Sequence, residues 1–440
     1  MKQKVGLYWF TCDLRIQDNP LLWQASCEVD SLLCVYCLPQ MDRYLVRYSQ
    51  EQSLGSERLA FLQQSVACLS QSLENMGQKL IVFDDRPLDV LNRFIQDYGV
   101  THFYCDLFSG VNEQSVVDRL SQLHSDLTCI QEPVNTLFSQ RLLPFTLGEL
   151  PSTFTQFRKQ VEHLPIGVES SLSALPEPPA QVISTLNMEV VSCQLFAGGE
   201  TLGLAHCSGY FATSLASHYK QTRNELDGFD FSTKFSPWLA VGCLSPKRIF
   251  ILLQEYEQRE RANDSTYWIF FELLWREYFH WYGKLWGRRL FKFSGLKDAA
   301  PLTSFYSYRF QQWKYGETQY PIVNACMKQL KATGYMSNRC RQLVASCLIH
   351  ELGLDWRYGA AYFETQLVDY DVASNWGNWQ YLAGVGADPR GSRHFNLAKQ
   401  TEMYDPDKVF IERWHGSKVI IPSDHVDMVD WPLSCLKGDE

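Results

Sequence analysis

Between Asp369 and Tyr381 the chain reads DYDVASNWGNWQY, which sets two carboxylates (Asp369 and Asp371), the amide of Asn375 and the ring of Trp379 within four turns of a helix. Acids, amides and aromatics at this density are not core composition. A buried acid needs a partner, and Arg341 in the earlier run MSNRCRQ is the candidate for Asp369 or Asp371. Helical spacing puts Asn338, Arg341 and Gln342 on one face. Such a polar nest in a helical setting suggests an enclosed polar heterocycle.

Two other clusters carry chemistry. Ser232-Thr233-Lys234-Phe235-Ser236-Pro237 is a hydroxyl-rich turn with one cation before a probable helix. Hydroxyls, backbone N–H groups and Lys234 suit a phosphate or pyrophosphate, although such a turn is also an ordinary helix cap. In Trp268 to Trp286, WIFFELLWREYFHWYGKLW, residues Glu272, Trp275 and Arg276 stand at i, i+3 and i+4. A carboxylate, an indole plate and a guanidinium on one face can hydrogen-bond and stack a planar ring. Glu272 and Arg276 alone would equally make a plain i,i+4 ion pair.

The elements that must position these groups fall into two regions. Apolar runs rich in β-branched and aromatic residues recur at Val5–Thr11, Ser31–Leu38, Lys79–Phe83, Thr101–Leu107 and Leu127–Gln131. Helical patterns separate several of them, the clearest being Leu59, Leu62, Val66, Leu69, Leu73 and Met76, between Ser56 and Gly77. Alternating strands and helices predict a doubly wound parallel sheet, an α/β domain over residues 1–132. No G-x-G-x-x-G follows the first strand, which argues against a dehydrogenase-type dinucleotide site. Residues 133–199, with LPEPP at Leu175–Pro179, read as a long interdomain connection, and residues 200–436 as a larger all-α domain. A length of 440 residues fits two such domains.

Composition narrows the function classes. The net charge of −9 disfavours indiscriminate polyanion binding, but Lys284–Lys297 and Lys331–Arg341 carry only positive charge and offer a local basic face. The 14 cysteines are scattered, mostly in apolar runs, and read as reduced core thiols with no metal site. The start MKQKVGLYWF is too short for a signal peptide, and no run approaches the roughly 20 apolar residues of a membrane span. A cytoplasmic location without membrane contact is expected.

Taken together and in order, WFTCDLRIQDN, TKFSPWLAVGCLSP, ELLWREYF, MSNRCRQ, the run from DWR to LVDYDVASNWGNWQY, and RHFN resemble the photolyase and cryptochrome family over some 400 residues. TQFRK at Thr155–Lys159, SNWGNW and GVGADPR resemble its cryptochrome DASH branch. The resemblance implies FAD held in the helical domain. Tyr219, Ser232, Thr233, Lys234, Phe235 and Ser236 match positions around the phosphates and ribityl chain, and Arg276, Asn338, Arg341, Asp369, Asp371 and Asn375 match those around the isoalloxazine and adenine. An amide oxygen from Asn375 at the flavin N5 would favour the reduced cofactor.

The resemblance also implies light-driven reversal of a cyclobutane pyrimidine dimer flipped out of DNA, by electron transfer from reduced FAD. Glu272 and Trp275 match the residues that hydrogen-bond and stack the lesion, with Glu272 helped by an aromatic surround that raises its pKa, and Arg339 and Arg393 match phosphate contacts. Gln342 and Tyr381 stand where double-strand-active relatives place Met and Trp, which points to single-stranded DNA as the preferred substrate. Trp379 and Trp356 match the inner members of a tryptophan chain that reduces the flavin; Thr303 stands at the outer position, so transfer is expected to be impaired, or rerouted through Tyr306, Tyr308 or Trp313. Asn112 and Glu113 match positions that hold a methenyltetrahydrofolate antenna. Cys12 and Gly416 depart from the family pattern away from the catalytic face. The rival expectation is a light receptor that signals through partners, disfavoured by retention of Glu272, Trp275 and Asn375 and by only 24 residues after Gly416. A monomer is expected.

Overall fold

The computed structural model describes residues 3–167, 172–179, 190–387 and 391–418; the expected limit at residue 436 and part of GVGADPR lie outside them. Five parallel strands form one sheet in the order β3-β2-β1-β4-β5, with β1 Val5–Phe10, β2 Ser31–Cys37, β3 Leu80–Phe83, β4 His102–Asp106 and β5 Thr128–Glu132. All five lie where the apolar runs predict, and the order reverses between β1 and β4, as a doubly wound sheet requires.

Alternation along the strands divides the core. Leu7, Trp9, Leu33, Val35, Ile81 and Phe103 face the helices Pro87–Tyr98 and Val111–Leu123. Tyr8, Phe10, Leu32, Cys34, Tyr36 and Val82 face the other way, into a cluster that runs on through the helical region to Ile411. The two domains are thus continuous through one core. The predicted amphipathic helix, Ser56–Glu74, packs in that shared layer through Phe61, Leu62, Val66, Leu69 and Leu73.

The connection is more structured than its composition suggests. It contains the helix Phe154–Val161, whose Phe154 and Phe157 are buried against the long aromatic helix Asp264–Trp286. Val134, Leu137 and Phe138 are also core residues. The segment after β1 docks directly onto the segment after the hydroxyl-rich turn: Leu14 N donates to Val241 O at 3.1 Å and Arg15 Nη1 to Gly242 O at 3.0 Å. Gly242, at φ +73°, leaves no room for a Cβ, which would fall 1.8 Å from Cys12 O.

Candidate functional site

The helices Asp264–Trp286, Asn338–Ser346 and Val372–Leu382 and the turn before Ser236 enclose a cavity of about 340 Å³, a size suited to a small-molecule site. Asp369 and Arg341 form its inner charged pair, with Arg341 Nη2 3.0 and 2.7 Å from the two carboxylate oxygens. Arg341 Nε donates to Met336 O at 2.9 Å, so the guanidinium is fixed in direction. Burial opposes its charge, but the charge and hydrogen bonds of Asp369, with Tyr335 nearby, outweigh burial and raise its pKa above the usual guanidinium value. Asp371 caps the helix Val372–Leu382 by accepting from Ser374 N at 2.7 Å.

One turn on, Asn375 is 9% exposed and donates from Nδ2 to Ala360 O at 3.0 Å. With one amide hydrogen so committed, the side chain is held in place, and Oδ1 is its group that can accept from a ligand. Trp379, a further turn along, is 2% exposed and lines the cavity, its ring resting on Gly359.

At the opposite end Lys234 adopts a left-handed backbone, φ +52°, and is 7% exposed. Its Nζ lies 2.9 Å from Ser232 Oγ and 5.0 Å from the centre of the Tyr335 ring, without a carboxylate partner among the described residues. A buried ammonium beside Ser232 and Thr233 in a cavity wall calls for an anion. Two expected members of this turn act otherwise. Ser236 Oγ donates to Asp369 Oδ2 at 2.7 Å, bracing the inner pair instead of facing a phosphate. The Phe235 side chain packs among His206, Tyr210 and Phe211.

Glu272, Gln342 and Tyr381 stand at the mouth. Glu272 is ion-paired with Arg223, which also hydrogen-bonds Tyr219 and lies over Trp268 at 4.4 Å. The nearest partner of Glu272 is therefore a guanidinium, not the aromatic surround expected to raise its pKa. Arg276 does not pair with Glu272; it donates to Asn135 O at 2.5 Å and Leu239 O at 3.3 Å, tying the connection to the cavity wall. Trp275 is not a wall of the cavity: Phe154 stacks on it at 3.8 Å and 12°. Asn338 is exposed at the rim.

Other predicted residues lie apart. Trp356 is 1% exposed, donates to Phe293 O at 3.0 Å and meets Trp376 edge-on at 5.9 Å. Trp313 is fully buried and edge-on to Trp379 at 6.3 Å, so it is an inner neighbour and not a surface exit, whereas Tyr308 is 56% exposed. Glu113 lies outside the cavity, beside Gly110 at the boundary with Val372; burial, opposed by its own backbone N–H and aided by Asp42, raises its pKa. Neighbouring Asn112 donates to Asp42 at 3.2 Å.

A buried arginine–aspartate pair, an oriented amide and an anion-seeking lysine thus surround one cavity between helices. Residues 268–429 match the family described as the FAD binding domain of DNA photolyase, and residues 6–180 match DNA photolyase. Cryptochrome DASH of Vibrio parahaemolyticus is 57% identical over 438 residues, covering 99% of this chain and 98% of that protein. This chain belongs to the photolyase and cryptochrome family, in its cryptochrome DASH branch.

Cryptochrome DASH of Idiomarina loihiensis is 52% identical over 98% of this chain and 97% of its own length. Among solved structures, the cryptochrome of Synechocystis aligns with a TM-score of 0.81 at 38% identity, covering 94% of this chain and 89% of that one. A class III photolyase of Agrobacterium tumefaciens aligns at 0.77 and 26%, covering 94% and 87%. Within this family frame the donor set fits FAD, since a buried ammonium beside hydroxyls suits an anionic group and a fixed guanidinium with an amide suits a polar ring. Reading by motif missed Arg223 and Tyr335, which also line the cavity. Among the described residues no helix is long and apolar enough to cross a membrane, and no His, Cys, Asp and Glu cluster suits a metal.

Proposed function

We propose that this protein repairs cyclobutane pyrimidine dimers in DNA under blue light with bound FAD, and prefers single strands. The observation that carries the reading is Asn375, oriented by its bond to Ala360 O in the cavity wall, beside Arg341 held by Asp369. Bound reduced FAD supplies, on excitation, the single electron that opens the dimer and takes it back. Arg341 keeps a fixed positive charge at the ring system, and Asn375 accepts a hydrogen bond from a protonated ring nitrogen, so both favour the reduced form. Lys234, Ser232 and Thr233 hold the pyrophosphate, with Tyr219 at its side. Glu272, once Arg223 swings aside, hydrogen-bonds the flipped bases and shares a proton with them; Trp275 stacks on them once Phe154 moves off its ring. Arg339 and Arg393 contact flanking phosphates. Trp379 and Trp356 pass electrons inward for reduction, and Glu113 with Asn112 grips a folate antenna.

A receptor role with little repair draws support from one observation, the coverage of a Trp275 face by Phe154. Reduced protein incubated under blue light with dimer-containing single-stranded and duplex oligonucleotides decides between them. The expected result is repair of the single strand, at least about tenfold slower in Glu272→Ala. No repair of either substrate overturns the enzyme reading in favour of the receptor.

A further inference from the structure

Trp376 is the first tryptophan of SNWGNW and does not line the cavity. It is 0% exposed, and its ring meets Trp356 edge-on at 5.9 Å, the one ring contact of Trp356 among the described residues. Trp376 Nε1 donates to Glu364 Oε2 at 2.9 Å. Tyr370 hydrogen-bonds the same carboxyl, while Arg58 donates to the Glu364 carbonyl and lies over the Tyr370 ring at 4.6 Å. Burial raises the Glu364 pKa against the charge of Arg58 and these hydrogen bonds, so the group holds a proton more firmly than a surface carboxyl does. Thr303, at the expected outer position, has no ring to oxidise.

We propose that Trp376 and Glu364 form a proton-coupled end to the electron route, Trp376 giving up an electron and Glu364 taking its indole proton; this rests on the flavin reading above. Light-excited oxidised flavin is the electron acceptor. One electron passes inward through Trp379 and Trp356, and Trp376 refills Trp356, becoming an indole radical cation. Oxidation makes the indole N–H strongly acidic, and with Trp376 shut off from bulk water the carboxylate is the base within reach. The Nε1–H bond breaks with its electron pair left on nitrogen, and the proton forms an O–H bond on Glu364 Oε2. A neutral tryptophanyl radical and a neutral carboxylic acid remain, so the indole carries no buried charge. The electron then returns only with the proton, which lengthens the life of the separated state.

Transient absorption and time-resolved electron paramagnetic resonance follow the full-length protein with oxidised FAD after a blue flash. Wild type is expected to show a neutral tryptophanyl radical, and Trp376→Phe to lose it. Glu364→Gln keeps an oxygen for Trp376 Nε1 but takes no proton, and is expected to hold the radical as a cation with a lifetime at least about tenfold shorter. A merely structural role lowers the flavin content and leaves the charge of the radical unchanged. An unchanged neutral radical in Trp376→Phe overturns the role of Trp376, and one in Glu364→Gln overturns that of Glu364. If neither variant folds, wild type decides, since a radical that stays cationic overturns the proposal. A wild type that binds no FAD overturns the flavin reading and the relay with it. Repair by chemically reduced wild type bypasses the route, so its failure overturns the repair reading alone.

Discussion

Asp369 serves two donors of different charge, and their losses separate cleanly. Asp369→Asn keeps an oxygen for Ser236 but leaves Arg341, whose side chain is only 25% exposed, facing a neutral partner. Removing one side of a buried pair strands the other charge, so a loss of about 2 to 3 kcal/mol is expected in urea unfolding of the flavin-free protein. Ser236→Ala removes a single hydrogen bond and is expected to cost about 1 kcal/mol. Equal effects of the two changes would mean that the pair is solvated. Arg341 was legible in the sequence as a partner for Asp369 or Asp371 because a buried carboxylate demands a cation, and the structure selects Asp369. Ser236 was not, since its acceptor is 133 positions away and nothing in a hydroxyl-rich turn tells a phosphate ligand from a brace. Arg223 escaped notice because a lone arginine in an ordinary polar run carries no pattern of its own.

The helix Val372–Leu382 carries Asn375, Trp379 and Tyr381 to the cavity and is seated by close approaches at glycine. A Cβ on Gly359 would lie 2.2 Å from the Trp379 ring, and one on Gly377 2.5 Å from Phe279. Gly359→Ala forces the buried indole to move, which overpacking penalties put at about 1 to 3 kcal/mol. The expected readings are a lower Tm and a shifted tryptophan emission, and an unchanged spectrum would show that Trp379 does not rest there. Strands were legible as elements because each is an apolar run with punctuation at its ends. The Phe154–Val161 helix was not: its buried Phe154, Phe157 and Val161 make barely two turns of periodicity inside a proline-bearing stretch. Missing that helix also hid the ring that covers Trp275.

At the scale of the molecule, the expectation of two domains held for the elements, but one core joins them, and composition alone gave no sign of it. The joint buries ionisable groups of opposite tendency. Asp106, at the end of β4, is pushed up to about 7 by burial and then by Asp13, against hydrogen bonds from Val134 N and Leu107 N. His280 is lowered to about 4 by burial and then by Arg276. For Asp106 the folded state holds its proton more tightly than the unfolded chain, so stability is present at acid pH and is lost as pH rises through about 7. For His280 the unfolded chain binds the proton first, so stability is lost as pH falls from the ordinary histidine range toward about 4. The two slopes oppose one another and flatten the wild-type profile. Asp106→Asn retains an acceptor for Val134 N while removing the charge. Its stability relative to wild type is therefore expected to grow with pH, by up to about 3 kcal/mol between pH 4.5 and 8. Urea unfolding at four pH values measures this, and a difference that stays constant would mean that Asp106 holds its charge throughout and that its hydrogen bonds outweigh burial.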